Sequence, residues 1–422
     1  MYCLFKFTFL SMLVFFSYGG FAQEGKLNAS VKGLIHLKTE ERKAEVSITY
    51  SIKEPANDTT FQFLFSKKNI LSSIRGKNLD KYWLDTSSGR VPSLKFKLNS
   101  PTKGGSYDMK LTYSVPLDSS TLTIGFAELG LDWFWIPYHP SYNNWNLVFD
   151  LKIKIDRAEY RLFSNGGIKK SKKNTYHVTS KLPDFDINLF IIKDPSVHVS
   201  KNREIQVVSK MDNDLLQDSI ATEVRAALQY YKTLYGEAPN SLTAIFRPII
   251  KGGTDWGYNR KGYFVLPQPK SLKSIKGSIA HELAHIWFLN GEPYENGWLT
   301  ESFAEYNAML YIRNTEGAAA FERMIKQKKD RIQAALAQGA NPPVVYGAGK
   351  KSDFKYTFIT LYEKGPVLLS ELHQTIGEEK FLVLLKQLAS ERVSTTGEVI
   401  SILEKLTNEN IAEQFLHKLK SY

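Results

Sequence analysis

The sequence has almost no cysteine. Among 422 residues the only one is Cys3, which excludes a disulfide framework, cysteine-ligated metal centres and thiol catalysis. Long apolar runs are also lacking: the longest, Phe7 to Phe16, has ten residues, about half of what a membrane-spanning helix requires. There is no internal repeat and no low-complexity segment. Gly and Pro are few, at 27 and 16, so collagen-like and Pro/Gly-rich disordered chains are excluded. Acidic residues are outnumbered 43 to 55 by basic ones, giving a net charge of +12 and a pI of about 9.3. Such a balance admits an acidic partner. The basic residues are scattered, however, and runs such as Lys169-Lys170-Ser171-Lys172-Lys173 suit solvated loops, so no nucleic-acid partner is expected. What the chain does have is core-forming material, with 22 Tyr and 25 Phe and an apolar fraction of 43%. Its length suggests two or three domains of about 150 residues.

The amino terminus has the pattern of an export signal. Lys6 precedes the apolar run, and Gly20-Phe21-Ala22 places small residues three and one before a cut. Residues 1–22 are expected to be a signal peptide and Gln23 the start of an exported, periplasmic or extracellular protein. Cys3 precedes the apolar run, so it is not a lipid-attachment cysteine. No stable membrane span is expected once the signal is removed. The sequence does not specify an oligomeric state.

Residues 23–199 read as an amino-terminal β domain. Ala44, Val46, Ile48, Tyr50 and Ile52 alternate with polar residues, as do Tyr107, Met109, Leu111, Tyr113 and Val115. Period two with Gly, Pro, Asn and Ser between the runs predicts half-buried antiparallel strands in a sandwich or saddle. Residues 200–422 change character. A helix is predicted over 218–235, strands over 242–250 and 262–266, and helices over most of the chain beyond 271, including one starting at Pro366.

The sharpest local signal is His281-Glu282-Leu283-Ala284-His285. On a helix, two histidines four apart lie on one face and can hold one Zn²⁺, with the glutamate beside the first reaching a metal-bound water. Ile275, Ile279, Leu283 and Ile286 predict a buried stripe on the opposite face. Zinc needs a third protein ligand. Glu301 and Glu305, themselves four apart on the next predicted helix, are equal candidates by spacing.

This stretch, with Trp298-Leu299-Thr300-Glu301-Ser302-Phe303-Ala304, resembles the aminopeptidase N family of zinc peptidases. That family reads roughly H-E-L-A-H-x-W-F-G-N and then W-L-N-E-G-F-A. The resemblance implies that His281, His285 and Glu301 bind one zinc, that Glu282 is the general base, and that Glu305 buttresses a zinc histidine. Thr300 and Ser302 replace the family's Asn and Gly, and the gap between His285 and Glu301 is shorter. Tyr362-Glu363-Lys364-Gly365 resembles the family's Y-E-K-G segment, which makes Tyr362 the hydroxyl that stabilises the oxyanion. Tyr362 is then expected just before the helix that starts at Pro366. In the β half, Phe126-Ala127-Glu128 and Phe163-Ser164-Asn165-Gly166 match further family stretches. The implied architecture is α+β: the β domain, then a thermolysin-like mixed α/β catalytic domain with a helical carboxy-terminal part. The family's large helical domain beyond that point is expected to be absent.

One family feature is missing. At the place of the G-A-M-E-N segment stands Gly252-Gly253-Thr254-Asp255-Trp256-Gly257, with Thr254 where the amine-binding glutamate belongs. A buried unpaired ammonium is costly, so Glu128, and Asp255 with its shorter arm, become the candidate amine anchors, with Gly253 and Thr254 along the peptide path. The expected function is an exported zinc peptidase acting on peptides or proteins, in the first place an aminopeptidase. The alternatives are an endopeptidase or dipeptide-releasing peptidase on the same scaffold, and an inactive binding protein.

Overall fold

The computed structural model describes residues 27–53, 59–87, 91–101, 106–118, 122–140, 145–180, 183–200, 204–210, 213–238, 242–249, 257–288, 296–345 and 356–421. The expected signal segment, and Gly253, Thr254 and Asp255, lie outside them. The chain divides into two compact units. One comprises Met1–Ser196, Ser209–Met211 and Arg247–Asp255; the other comprises Val197–Val208, Asp212–Phe246 and Trp256–Tyr422.

The first unit is built from β-sheet. Its largest sheet has seven strands in the order Gly167–Lys172, Thr175–Thr179, Trp145–Ile155, Leu27–Lys38, Lys43–Lys53, Ser106–Pro116, Ile70–Gly76. The alternating residues do face inward: Ala44, Val46, Ile48, Tyr50 and Ile52 are all at most 3% exposed. One pair departs from the antiparallel expectation, since Leu27–Lys38 runs parallel to Trp145–Ile155. A parallel pair needs a long crossover, and residues 39–144 supply it. Trp135, Ile136 and Tyr138 are fully buried and anchored by hydrogen bonds: Tyr50 Oη to the Pro137 carbonyl at 2.8 Å, Trp135 Nε1 to the Ile187 carbonyl at 2.9 Å and Tyr138 Oη to Asp186 Oδ1 at 2.6 Å. Asn165 of the Ser164-Asn165-Gly166 turn donates to the Asp186 carbonyl and accepts from the Asn188 amide. This fixes the entry to the strand Leu189–Lys193, which pairs antiparallel with Phe126–Leu129 and sets Glu128 opposite Phe190.

The second unit pairs a five-stranded sheet with helices. The sheet order is Ser196–Val199, Ile205–Ser209, Leu242–Arg247, Tyr263–Pro267, Tyr258–Arg260, which leaves Tyr258–Arg260 at an edge. The helices are α1 (Asp214–Tyr235), α2 (Leu272–Ala284), α3 (Gly297–Glu316), α4 (Ala318–Leu336), α5 (Gly365–Ile376), α6 (Glu378–Glu391), α7 (Thr396–Leu406) and α8 (Glu409–Lys420). Helix α1 starts four residues before the expected Asp218. The Asn213 side chain accepts from the Leu216 amide, an N-cap that satisfies one of the orphan donors of the first turn. Helix α3 is buried nearly all round, from Trp298 through Phe303 and Tyr306 to Ile312. Its start is pinned by Asn296 Oδ1, which accepts from both the amide and the hydroxyl of Thr396 at 2.8 Å. Among the described residues no helix is long and apolar enough to cross a membrane.

Two expectations hold only in part. Helix α2 ends at Ala284, so His285 sits at its C-cap in right-handed helical geometry. The buried stripe continues not through Ile286, which is part-exposed, but through Trp287 and Phe288, because the chain turns on Leu283 and Ala284. Tyr362 does stand just before α5, in whose first turn Pro366 lies, but not at a free end. It lies within helical backbone, where Ile359–Lys364 has π geometry and runs directly into α5.

Candidate active site

Helix α2 presents His281 and Glu282 near its carboxy-terminal end, and the turn that follows keeps His285 on the same face. All three are buried, between 5% and 8% exposed. The backbone under them is held from two sides. Tyr231 Oη of α1 donates to the Ala280 carbonyl at 3.0 Å, and Asn259 Nδ2 of the edge strand donates to the Glu282 carbonyl at 2.7 Å. Helix α3 brings Glu301 and Glu305 to the histidines, one turn apart.

The structure separates the two glutamates that spacing left equal. Glu301 Oε2 lies 3.4 Å from His281 Nε2 and 3.7 Å from His285 Nε2. Glu305 instead reaches the far nitrogen of the first ring, with Oε2 at 3.0 Å from His281 Nδ1. His285 Nδ1 is 3.2 Å from the Phe288 carbonyl. With each Nδ1 engaged by an acceptor, each Nε2 is the nitrogen that faces Glu301 and would be the one offered to a metal.

One ligand atom each from His281, His285 and Glu301 lie within 4.8 Å of one another. Tetrahedral zinc with bonds of about 2.0–2.1 Å sets its ligand atoms roughly 3.4 Å apart, close to the two distances found. Two imidazoles and one carboxylate are also a borderline-soft donor set suited to zinc. The residues therefore fit the metal that the motif implies.

Tyr362 joins this cluster. Its hydroxyl donates to Glu301 Oε2 at 2.6 Å, and its ring stacks on His281 at 5.7 Å between centroids. Phe358 also stacks with the Tyr362 ring, at 5.5 Å. Burial pushes the Tyr362 hydroxyl well above its ordinary pKa and the Glu301 charge adds to this, so it stays a neutral donor. Burial disfavours charge on Glu301 and Glu305 as well. Their neighbours outweigh it: His285, His281 and Tyr362 for Glu301, Lys328 and His281 for Glu305, and both are held well below the usual carboxylate range. Burial likewise opposes the cation of His281, yet hydrogen bonds to Glu301 and Glu305 raise its pKa above the usual imidazole range. Burial pushes His285 down to about 4 against the attraction of Glu301.

The amine-anchor candidate Glu128 lies in the first unit, where its carboxylate faces the Arg247 guanidinium at 3.8 Å, with both side chains largely buried. The other three substrate-path candidates, Gly253, Thr254 and Asp255, fall outside the described residues.

Sequence reasoning missed Lys328, Asn259 and the structural part of Ser302. Lys328 left the clearest trace. Phe321, Ile325 and Lys328 fall at helical spacing on the buried face of α4, so a cation occupies a position where the pattern calls for an apolar residue. The Ser302 hydroxyl donates to the Leu361 carbonyl at 2.7 Å, so the residue that replaces the family's glycine braces the tyrosine-bearing segment.

An H-E-x-x-H helix whose third donor is a glutamate from the next helix defines the gluzincin class of metallopeptidase sites. Comparison with known proteins agrees: residues 266–419 match the family model of the peptidase family M1 domain, the domain of the aminopeptidase N family. Among curated relatives, endoplasmic reticulum aminopeptidase 1 of Rattus norvegicus is 24% identical over 258 residues, covering 55% of this chain and 27% of its own. Endoplasmic reticulum aminopeptidase 2 of Homo sapiens is 27% identical over 165 residues, covering 36% and 17%. The chain thus spans about a quarter or less of these relatives. Among solved structures, leukotriene A4 hydrolase of Saccharomyces cerevisiae superposes with a TM-score of 0.70 at 14% identity, over 94% of this chain and 68% of the other. An M1 zinc metallopeptidase of Deinococcus radiodurans, solved with a Tyr-Ser-Ala substrate, gives a TM-score of 0.64 at 13% identity, over 94% of both chains. At these identities the likeness is one of fold.

Proposed function

We propose that this protein is an exported zinc-dependent peptidase, and in the first place an aminopeptidase that removes amino-terminal residues from peptides. The observation that carries the proposal is the convergence of His281, His285 and Glu301 with the Tyr362 hydroxyl, 2.6 Å from Glu301 Oε2. Export rests on the pattern of residues 1–22. The peptide substrate class is supported by the M1 domain match and by the tripeptide held by the Deinococcus structure.

Zinc, when bound by His281, His285 and Glu301, supplies Lewis-acid polarisation of the scissile carbonyl and a water of lowered pKa. The remaining chemistry belongs to side chains. Glu282, beside the first histidine, takes the proton of the attacking water and passes it to the leaving amine. Tyr362, kept neutral by burial, donates its O–H to the negative charge developing on the carbonyl oxygen. The edge strand Tyr258–Arg260 offers main-chain groups to an extended peptide, the usual mode of strand addition. Glu128 and Asp255 are the candidate anchors for the substrate amine.

A second reading is favoured by one contact. Glu128 already faces a guanidinium, so a substrate ammonium would have to share that carboxylate with Arg247. With Thr254 in place of the family's glutamate, the same scaffold suits an endopeptidase or a dipeptide-releasing enzyme. The test is cleavage of one peptide with a free and with an acetylated amino terminus, with and without a chelator. Chelator-sensitive cleavage of the free form alone is the expected result. Equal cleavage of both forms gives the endopeptidase reading, and release of dipeptides gives the third activity. No cleavage by the zinc-loaded protein overturns the enzymatic proposal.

A further inference from the structure

The most unusual buried group of the second unit outside the expected catalytic set is an ammonium. Lys328 of α4 is 3% exposed, and lysine is almost never fully buried without partners. Its Nζ lies 2.6 Å from Glu305 Oε1, donates to the Tyr362 carbonyl at 2.7 Å, and is 3.6 Å from Glu363 Oε2. Glu305 presents its other oxygen to His281 Nδ1 at 3.0 Å. One cation thus touches both the carboxylate that orients a zinc histidine and the backbone of the oxyanion tyrosine.

The local backbone explains why Tyr362 needs such a partner. In α-helical pairing its carbonyl would accept from residue 366, four positions on. That residue is Pro366, which has no N–H. One position earlier, Leu361 would look to the same proline in π pairing, five positions on, as Thr360 does to the Gly365 amide. Two adjacent carbonyls therefore lack their regular helical donor, and two side chains serve them: the Ser302 hydroxyl at Leu361 and the Lys328 ammonium at Tyr362. Arg331, one turn further along α4, grips the next residue, with Nε and Nη2 at 2.7 and 2.9 Å from the two oxygens of Glu363.

We propose that Lys328 is a positioning residue of this site, holding the Glu305–His281 pair and the Tyr362 hydroxyl in one register. The inference deepens the peptidase reading and rests on it for its kinetic part. A simple structural staple would affect folding alone. A positioning residue acts on metal affinity through Glu305 and on turnover through Tyr362.

The experiment compares the unaltered full-length protein with Lys328→Met, Tyr362→Phe and the double variant. It measures zinc affinity by chelator competition, then kcat and KM on a free-amine peptide, with thermal melting as the check on folding. Expected for Lys328→Met are zinc binding weakened 10- to 100-fold, the range for ligand-orienting partners, and kcat lowered at least ~10-fold with KM within ~2-fold. On the Tyr362→Phe background the kcat loss should shrink to under ~3-fold, because both changes remove the same alignment. Zinc affinity within ~2-fold of the unaltered protein, or a kcat loss equal on both backgrounds, overturns the proposal. Should Lys328→Met not fold, Lys328→Gln, which keeps a neutral donor of shorter reach, goes through the same measurements. If the unaltered protein binds zinc but cleaves nothing, the peptidase reading fails by itself, and the zinc titration alone decides the role of Lys328.

Discussion

Gly257 lies so close to Glu282 that a Cβ on it would stand 2.7 Å from the Glu282 Oε1. The same Cβ would be 2.4 Å from Leu266 Cδ2 and 2.8 Å from the Val265 carbonyl oxygen. The side-chain atoms have some freedom to move, but the carbonyl belongs to the strand Tyr263–Pro267 and does not. Glycine is required here by close approach, whatever its dihedral angles. Gly257→Ala is therefore expected to push the Glu282 carboxylate, the proposed general base, aside while leaving the proposed zinc donors His281, His285 and Glu301 untouched. A misplacement of about 1 Å costs on the order of 100-fold in rate. The expected outcome is kcat/KM down 10- to 100-fold with zinc content unchanged, measured by steady-state kinetics beside metal analysis.

Gly365 and Ser302 make a second close pair. A Cβ on Gly365 would meet Ser302 Oγ at 2.0 Å and Ser302 Cβ at 2.6 Å, with the Thr360 carbonyl next at 3.3 Å. Gly365→Ala alone should lower the melting temperature, since overpacking of this kind costs about 1–3 kcal/mol. Ser302→Gly alone removes the hydroxyl that serves the Leu361 carbonyl and should cost about 1 kcal/mol. Combined, the two changes relieve the clash. The double variant should melt above Gly365→Ala. A double variant that melts at the sum of the two losses shows that the helices do not meet here.

The parts of this site that could be read in the sequence are those that local periodicity dictates. His281 and His285 sit four apart in a helical pattern with buried Ile275 and Ile279 beneath them, and a helix brings two residues at that spacing to one face, one turn apart. The choice between Glu301 and Glu305 was not local, because residues one turn apart share a face. Only the approach of α3 to α2 decides that one meets Nε2 and the other Nδ1. Pro366 does sit in the first turn of α5, as a proline usually does, but it gave no sign that the π-helical turn Ile359–Lys364 runs into that helix without a break, with Ser302 and Lys328 serving the carbonyls that the proline leaves without a donor. The parallel pairing of Leu27–Lys38 with Trp145–Ile155 joins segments more than a hundred residues apart, a relation that strand alternation does not encode.

Two variants test the chemistry with the scaffold left in place. Glu282→Gln keeps volume and burial but cannot accept the proton, so turnover should fall by 10² to 10⁴, the usual contribution of a general base. Tyr362→Phe keeps the ring and its stacking contacts with His281 and Phe358 and removes only the hydroxyl. The loss of one oxyanion donor costs about 10²- to 10³-fold in kcat, with KM little changed. Both proteins should bind one zinc per chain. Retention of full activity by either would remove that residue from the proposed mechanism.

A last prediction concerns acid stability, and its group lies away from the metal donors. His373 of α5 is 6% exposed. Its Nδ1 is 2.9 Å from the Tyr306 hydroxyl and its Nε2 3.0 Å from Glu378 Oε2, while its ring stacks on Phe381 at 4.2 Å. Arg313 Nη2 donates to the other oxygen of Glu378 at 2.6 Å, which draws that carboxylate's charge away from the histidine. Burial holds His373 below its ordinary pKa of 6.5, and the attraction of Glu378 offsets only part of this. The sign follows from proton counting. Above pH ~6.5 the ring is neutral in folded and unfolded chains alike, and its contribution is intact. As pH falls below ~6.5 the unfolded chain takes up a proton that the folded chain resists, so stability is lost down through the folded pKa. Tyr306 follows Glu305 directly on α3, so this loss bears on the helix that carries Glu301. In His373→Gln the group no longer titrates. The difference in urea midpoint between pH 7.5 and pH 5.5 should be smaller in that variant than in the unaltered protein, and an equal or larger difference rules out His373 as a source of the acid loss.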